Sequence, residues 1–242
     1  MKISVLIPFK SDDGGYRDVN FYYVKKRYQT RMPELELVVG EDNSEPFNRS
    51  RAINRAVAKA TGDLYILADA DIYFGTKLID KIMAIANLHP WIIPFNQGYK
   101  LTQAATLEVM KTGELQLPKN LKHADIEEDC INLGAFINVI PRQAFETIGG
   151  MDERFLGWGR EDESMVIALD TLIGKHFQMN EPIFHLWHPP ADYHHSYLPQ
   201  NDELKSRYMQ ASGNIRAMKE LIAERITDTA VKTTQINGYR GE

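Results

Sequence analysis

Three short apolar runs, at residues 3–9, 35–39 and 64–68, alternate with stretches of helical periodicity, and that alternation admits few folds. Each run has strand length and strand composition, as expected for a strand buried on both faces. Between the first two, residues 19–28 read as a helix that ends near Met32-Pro33, because a residue preceding proline is pushed out of the α region. Residues 48–60 place Ala52, Ile53, Ala56, Val57 and Ala60 at helical spacing, with Gly62 as the stop. Residues 77–88 do the same with Leu78, Ile79, Ile82, Met83, Ile85 and Ala86. Repeated strand–helix–strand units build a parallel sheet with helices on both faces, and ligands bind beyond the carboxyl ends of its strands. Phe9, Glu41, Asp42, Asp69 and Asp71 all fall at those ends. The expected architecture is α/β, with a mostly parallel central sheet.

After Pro90 the pattern loosens. A strand is expected at 91–95, a segment of no clear period at 98–130, a strand at 133–140, and a short helix at 142–148 stopped by Gly149-Gly150. A helix over 164–172 opens behind an acidic cluster. Leu204, Tyr208, Ala211, Ile215, Met218, Ile222 and Ile226 mark one amphipathic helix. With no repeat or linker, the chain reads as one domain over 1–227. A nucleotide-binding half would occupy about 1–95, an acceptor-binding half 96–200 and a C-terminal helix 201–227, followed by a polar tail at 228–242.

Two acidic clusters carry the chemistry. Asp69-Ala70-Asp71 closes the third apolar run, where carboxylates suit a hard divalent cation that takes oxygen ligands. Alone, such a pair is common at strand ends, and an EF-hand is excluded because its glycine position falls on Phe74. The second cluster, Glu161-Asp162, follows Gly157-Trp158-Gly159-Arg160. Favourable charge at a helix N-terminus explains the acids but not the glycines beside an indole. Two adjacent carboxylates can divide the labour, one holding hydroxyls and the other taking a proton. His185 and His188, in an aromatic and proline-rich loop, could complete a metal site. His194-His195 reads as surface, Glu127-Glu128-Asp129 as solvated, Asp12-Asp13 as a turn, and Tyr22, Tyr23 and Trp91 as core.

Composition sets outer bounds. A net charge of −5 gives no reason to expect nucleic-acid binding. The lone Cys130 excludes an internal disulfide framework and fits a reducing compartment. No run approaches the roughly 20 apolar residues of a membrane span, and the N-terminal run is too short for a signal peptide. A cytoplasmic location is the expectation.

Phe47-Asn48-Arg49-Ser50-Arg51-Ala52-Ile53-Asn54, then Asp69-Ala70-Asp71, then the block from Gly149 to Glu163 follow one another in order. In this the chain resembles GT-A glycosyltransferases of the β-1,4-galactosyltransferase and bacterial chondroitin-polymerase type, and more distantly polypeptide N-acetylgalactosaminyltransferases. The resemblance covers about 2–190, and Gly-Trp-Gly-x-Glu-Asp is its most specific part. It implies a GT-A, Rossmann-like domain that moves a sugar from a nucleotide-diphosphate donor, UDP-linked, to a hydroxyl of a glycan or other acceptor, with Mn²⁺ or Mg²⁺ as cofactor. Carried over residue by residue, Pro8, Phe9 and Glu41 or Asp42 would contact base and ribose, with Arg49 or Arg51 near the nucleotide. Asp71 would ligate the metal, with Asp69 nearer the ribose or the metal waters. The late metal histidine matches His185 best, with His188 as the fallback. Trp158 would wall the sugar pocket between Gly157 and Gly159, Glu161 would hold hydroxyls, and Asp162 would be the base of an inverting transfer.

Arg160 departs from the resemblance, standing where a third glycine is usual; it could narrow or recharge the acceptor side. The sequence shows no stem, anchor or second transferase module and reads as a bare catalytic domain. The retaining branch shares much of the acidic block, so a retaining transferase stays open, as does a non-catalytic nucleotide-sugar module. A sugar-1-phosphate nucleotidyltransferase should show a glycine-rich loop after the first strand, which Lys10-Ser11-Asp12-Asp13-Gly14-Gly15 does not match.

Overall fold

Residues 3–9 form the strand β1 (Ile3–Phe9), buried along its whole length between parallel neighbours β2 (Glu36–Glu41) and β3 (Leu64–Ala68). The computed structural model describes residues 1–112, 126–130, 134–157, 159–189 and 196–225, with backbone alone for 127–130. The helices α1 (Tyr16–Arg31) and α2 (Arg49–Val57) make the crossovers, as parallel pairing requires. Beyond them come β4 (Ile72–Tyr73), α3 (Lys77–Ile85) and β5 (Ile92–Ile93).

The segment expected to lack a period holds regular structure: β6 (Gln97–Leu101), α4 (Gln103–Thr112) and β7 (Ile126–Cys130). Its strands belong to a second small sheet, so their residues do not show the continuous apolar run of the main sheet. The chain continues through β8 (Ile137–Pro141), α5 (Arg142–Thr147), α6 (Glu161–Leu172), β9 (Phe177–Gln178), β10 (Pro182–His185) and α7 (Leu198–Ala211). Residues 215–225 are again helical. The single C-terminal helix expected from the apolar spacing is thus two. Gly213, at φ 72°, stops the first, and Asn214 caps the second through Ala217 N at 3.1 Å.

The main sheet runs β2-β1-β3-β8-β5-β9, and the second runs β4-β10-β6-β7. β8 lies antiparallel to both β3 and β5, so the sheet is mixed. Helix α2 lies so close to β2 that a Cβ on Gly40 would stand 1.8 Å from the Ala52 carbonyl oxygen, and only glycine fits there. Tyr65, Trp91, Phe95, Phe184 and Tyr208 are among the largest fully buried side chains. Trp91 is core, as its sequence context suggests, whereas Tyr22 is 59% exposed on α1. Among the described residues no helix is long and apolar enough to cross a membrane.

Candidate active site

Two sheets meet at Asp71. The main sheet delivers the chain to Asp69 just beyond the end of β3, and the residue after Asp71 already begins β4 of the second sheet. There β10 pairs antiparallel with β4, setting His185 opposite Ile72, and Leu186 N donates to the Asp71 carbonyl at 2.9 Å. The pairing register therefore carries His185 and His188 to Asp71. His185 Nε2 lies 3.5 Å from Asp71 Oδ1, and His188 Nε2 lies 3.2 Å from Oδ2. The ligand atoms of the three residues lie within 4.8 Å of one another.

These donors suit a divalent cation. One carboxylate and two imidazoles make a mixed oxygen–nitrogen set, and Asp71 Oδ1 is buried without a hydrogen-bond partner. Burial pushes the Asp71 carboxyl up, but His185, His188 and Arg17 outweigh it and hold it below the ordinary range. Burial also lowers His185, which favours the neutral imidazole that metals bind. Both histidines, His188 as well as His185, reach the same carboxylate. The loop that carries them is fixed by Asn20 Nδ2 donating to the Trp187 carbonyl at 3.1 Å, by Trp187 N donating to Thr106 Oγ1 at 2.8 Å, and by the edge of Tyr16 against Trp187.

Asp69 turns elsewhere. Its Oδ1 accepts from Arg49 Nε at 2.9 Å and from Nη2 at 2.6 Å, so it stands outside the metal-competent group. From its other edge Arg49 donates through Nη1 to Asp162 Oδ1 at 2.5 Å, with Glu161 Oε1 at 3.8 Å. One guanidinium thus spans both acidic clusters. Asp162 is raised well above the ordinary carboxylate range by burial and by Glu161 and Asp69, with Arg49 opposing. Burial raises Glu161 too, against Arg49, and its Oε2 is buried without a partner. Among the described residues Asp162 Oδ2 has no hydrogen-bond partner, so one oxygen is held and the other is available.

The acids open α6 rather than preceding it: Glu161, Asp162 and Glu163 form its first turn, where the helix dipole favours negative charge. The N-cap is Arg160, left-handed at φ 80°. This geometry explains why glycine is the easier residue there. The Arg160 side chain is committed to Asp202 Oδ1 at 2.6 Å and lies near Glu163, so its charge is paired rather than presented. Trp158 lies outside the described residues; Gly157 and Gly159, half-buried, frame its position.

Other expected contacts sit deeper. Pro8 and Phe9 are buried, and the Phe9 ring stacks on Phe21 at 3.9 Å. Asp42 is buried with both oxygens engaged, by Asn48 N and Ser44 on one side and Arg55 at 3.0 Å on the other. Burial raises its carboxyl, but Ser44, Asn48, Arg51 and Arg55 bring it below the usual range. Arg51 pairs with Asp42 and Glu153, so of the two arginines Arg49 is the one that joins Asp69 to Asp162. Glu41 is exposed at the end of β2.

Sequence reasoning passed over several residues that hold the site. Asn48 caps α2 through Arg51 N at 2.8 Å and donates to the Glu153 carbonyl at 2.8 Å. Asn54 ties the same helix to Met151 through both its oxygen and its nitrogen. An asparagine before a helical run signals the cap, but nothing signals the second bond. Phe136 holds the left-handed region at φ 68°, a strained state for a bulky residue, and its carbonyl accepts from Asp69 N at 2.9 Å.

Comparisons with known proteins bear on the family and the fold. The family model described as "Glycosyltransferase like family 2" matches residues 29–188. Among solved structures, S. aureus TarS superposes with a TM-score of 0.51 at 11% identity, over 93% of this chain and 43% of that one. The chain thus spans less than half of that TarS chain. TarS 1–349 in complex with UDP-GlcNAc gives 0.50 at 10% identity, over 93% and 72%. The catalytic domain of Drosophila β1,4-galactosyltransferase 7, in complex with xylobiose, gives 0.49 at 14% identity, over 86% and 80%. A search of curated proteins returned no significant match. The fold is that of the TarS structures.

Proposed function

The chain belongs to the glycosyltransferase-like family 2 and is a glycosyltransferase, and we propose that it moves a sugar from a UDP-linked donor to an acceptor hydroxyl with inversion. The observation that carries this reading is Arg49 joining Asp69 to Asp162 beside the Asp71–His185–His188 group. It links a candidate base through one guanidinium to Asp69, two residues before Asp71 of the candidate metal group. The UDP-GlcNAc complex of TarS supports a nucleotide-sugar donor.

Asp71, His185 and His188 would hold Mn²⁺, with Mg²⁺ the poorer fit because it prefers oxygen ligands and water. When bound, the cation neutralises charge on the departing diphosphate. Asp162 Oδ2 would accept the acceptor proton while Arg49 holds Oδ1, fixing the carboxylate plane and favouring its ionised form. Glu161 Oε2 would accept from a sugar hydroxyl, an exchange that satisfies an otherwise unpaired buried oxygen. Glu41, at the exposed end of β2, would face the base and ribose, while Pro8, Phe9 and Asp42 would shape that wall from beneath. Trp158 would cover the sugar. The halves at about 1–95 and 96–200 would then serve donor and acceptor, and the lone Cys130 supports a cytoplasmic setting.

Incubation with a panel of UDP-sugars, candidate acceptors and Mn²⁺, with free UDP as the readout, tests the reaction class. The anomeric configuration of the product, read by NMR, tests inversion. UDP release with no donor in the panel would overturn the reading of the donor.

A further inference from the structure

We propose that Asn201 is a positioning residue for transfer, holding from α7 the turn that leads into the two acids of α6. It rests on the reading of Glu161 and Asp162 as the working acids. Asn201 lies in the first turn of α7, beyond residue 188 where the family match ends, and is 2% exposed. Its Nδ2 donates to the Leu156 carbonyl at 2.9 Å and to the Gly159 carbonyl at 3.2 Å, and its Oδ1 accepts from Leu156 N at 3.2 Å. A carboxamide offers donors and an acceptor in one plane, so it meets the N–H and C=O of one residue as a neighbouring strand would.

The turn is gripped from the other side as well. Gly157 bridges to Asn48, which is fully buried and bonded to Glu153. Leu156, Gly157 and Gly159 are therefore held between the asparagine that caps α2 and an asparagine of α7, and Glu161 begins α6 two residues after Gly159. Helix α7 adds two ion pairs, Asp202 with Arg160 and Lys205 with Glu163. These are partly exposed pairs, which contribute little to position. Asn201 is buried and uncharged, and it bonds to both Leu156 and Gly159. An ångström of drift in this turn would misplace the base relative to the acceptor, which can cost about 10²-fold in rate.

The test uses the full chain with its UDP-sugar donor, Mn²⁺ and an acceptor found in the panel above. Asn201→Asp keeps the shape but loses both donors and turns a carboxylate toward two carbonyls. Asn201→Ser, whose shorter side chain offers one hydroxyl as donor and acceptor, serves if the first variant does not fold. Trp91→Phe is the control for stability: it removes indole bonds to Asp170 and Gly174 at the other end of α6. The expected result is a fall of about 10²-fold in kcat/KM for the acceptor, with donor dissociation constant unchanged and Asn201→Ser intermediate. A fall no larger than that of Trp91→Phe at equal loss of Tm overturns the proposal, as does donor affinity falling in step with kcat. Asp162→Asn is run beside them. If that variant transfers at the wild-type rate, the assignment of the base fails; if it is inactive while Asn201→Asp is normal, only the positioning role fails.

Discussion

Arg49 and Asp162, far apart in sequence, are joined by a hydrogen bond of 2.5 Å from Nη1 to Oδ1. The opposite edge of the same guanidinium holds Asp69, so the acids of the third strand and of α6 share one cation.

Asp162→Asn keeps the acceptor oxygen that Arg49 needs and loses the ability to take a proton. Transfer should fall about 10²–10⁴-fold, with donor affinity nearly unchanged. A merely structural role at the helix start predicts a stability loss under about 1 kcal/mol and normal turnover. Rate and donor affinity measured on this one variant separate the two.

The pH profile should carry the sign of the Asp162 shift. Its carboxyl is raised by burial and by Glu161 and Asp69, and the ionised form does the work, so the rate should rise through a limb above the ordinary carboxylate range. Arg49→Met removes the opposing charge and should move that limb to still higher pH. An acid limb that stays in place in Arg49→Met would show that Arg49 does not set the ionisation of the base. For stability the sign is reversed: a raised folded pKa stabilises at low pH and is lost as pH rises through it.

Activity should vanish in excess EDTA and return with Mn²⁺ more fully than with Mg²⁺, because two imidazoles stand in the donor set. Asp71→Asn should weaken Mn²⁺ binding more than either His185→Ala or His188→Ala, since Asp71 supplies the charge and faces both rings. Calorimetric titration of the three variants checks the order. Equal losses in all three would reduce Asp71 to one ligand among equals.

Arg160 holds a left-handed backbone at φ 80°. Arg160→Ala keeps that conformation and loses the pair to Asp202, whereas Arg160→Gly loses the pair but relieves the strain. The glycine variant should be the more stable of the two by about 1 kcal/mol in chemical denaturation. The opposite ranking would mean that the strain is not stored there.

Glu36 accepts from Ser4, from Thr61 N at 2.8 Å and Thr61 Oγ1 at 2.7 Å, and from Lys2 at 3.3 Å. Burial raises its carboxyl, but these donors together outweigh it and bring it down to about 2. A lowered folded pKa stabilises above the unfolded value and loses that contribution as pH falls toward about 2. Glu36→Gln should therefore have a lower Tm than the wild type at neutral pH and converge with it near that acid limit.

The strand at 64–68 was legible to the residue, because a buried parallel strand is a continuous apolar run with a sharp polar end. The helix over 77–85 ended three residues short of its expected stop, and α1 began three residues before its expected start, at Tyr16. Helix ends depend on what packs there rather than on periodicity. Strand β6 and helix α4 escape a reading of periodicity because β6 (Gln97–Leu101) has no apolar run and only Gly98 and Leu101 are buried, and α4 has few buried positions.

By itself the sequence determined the alternating strand–helix frame, the acids at its strand ends and the Gly-Trp-Gly-x-Glu-Asp block. Those depend on local periodicity and on residue type, which are written along the chain. Tertiary structure decided which partners these residues meet. The antiparallel register of β10 on β4 brought both histidines to Asp71, where sequence offered His185 with His188 in reserve. The reach of Arg49 across the end of β3 brought it, rather than Arg51, to Asp69 and Asp162 and turned Asp69 away from the metal-competent group. The clamp by Asn201 left no trace in the sequence, because hydrogen bonds from one carboxamide to a distant backbone need no motif, only a helix packed at the right distance.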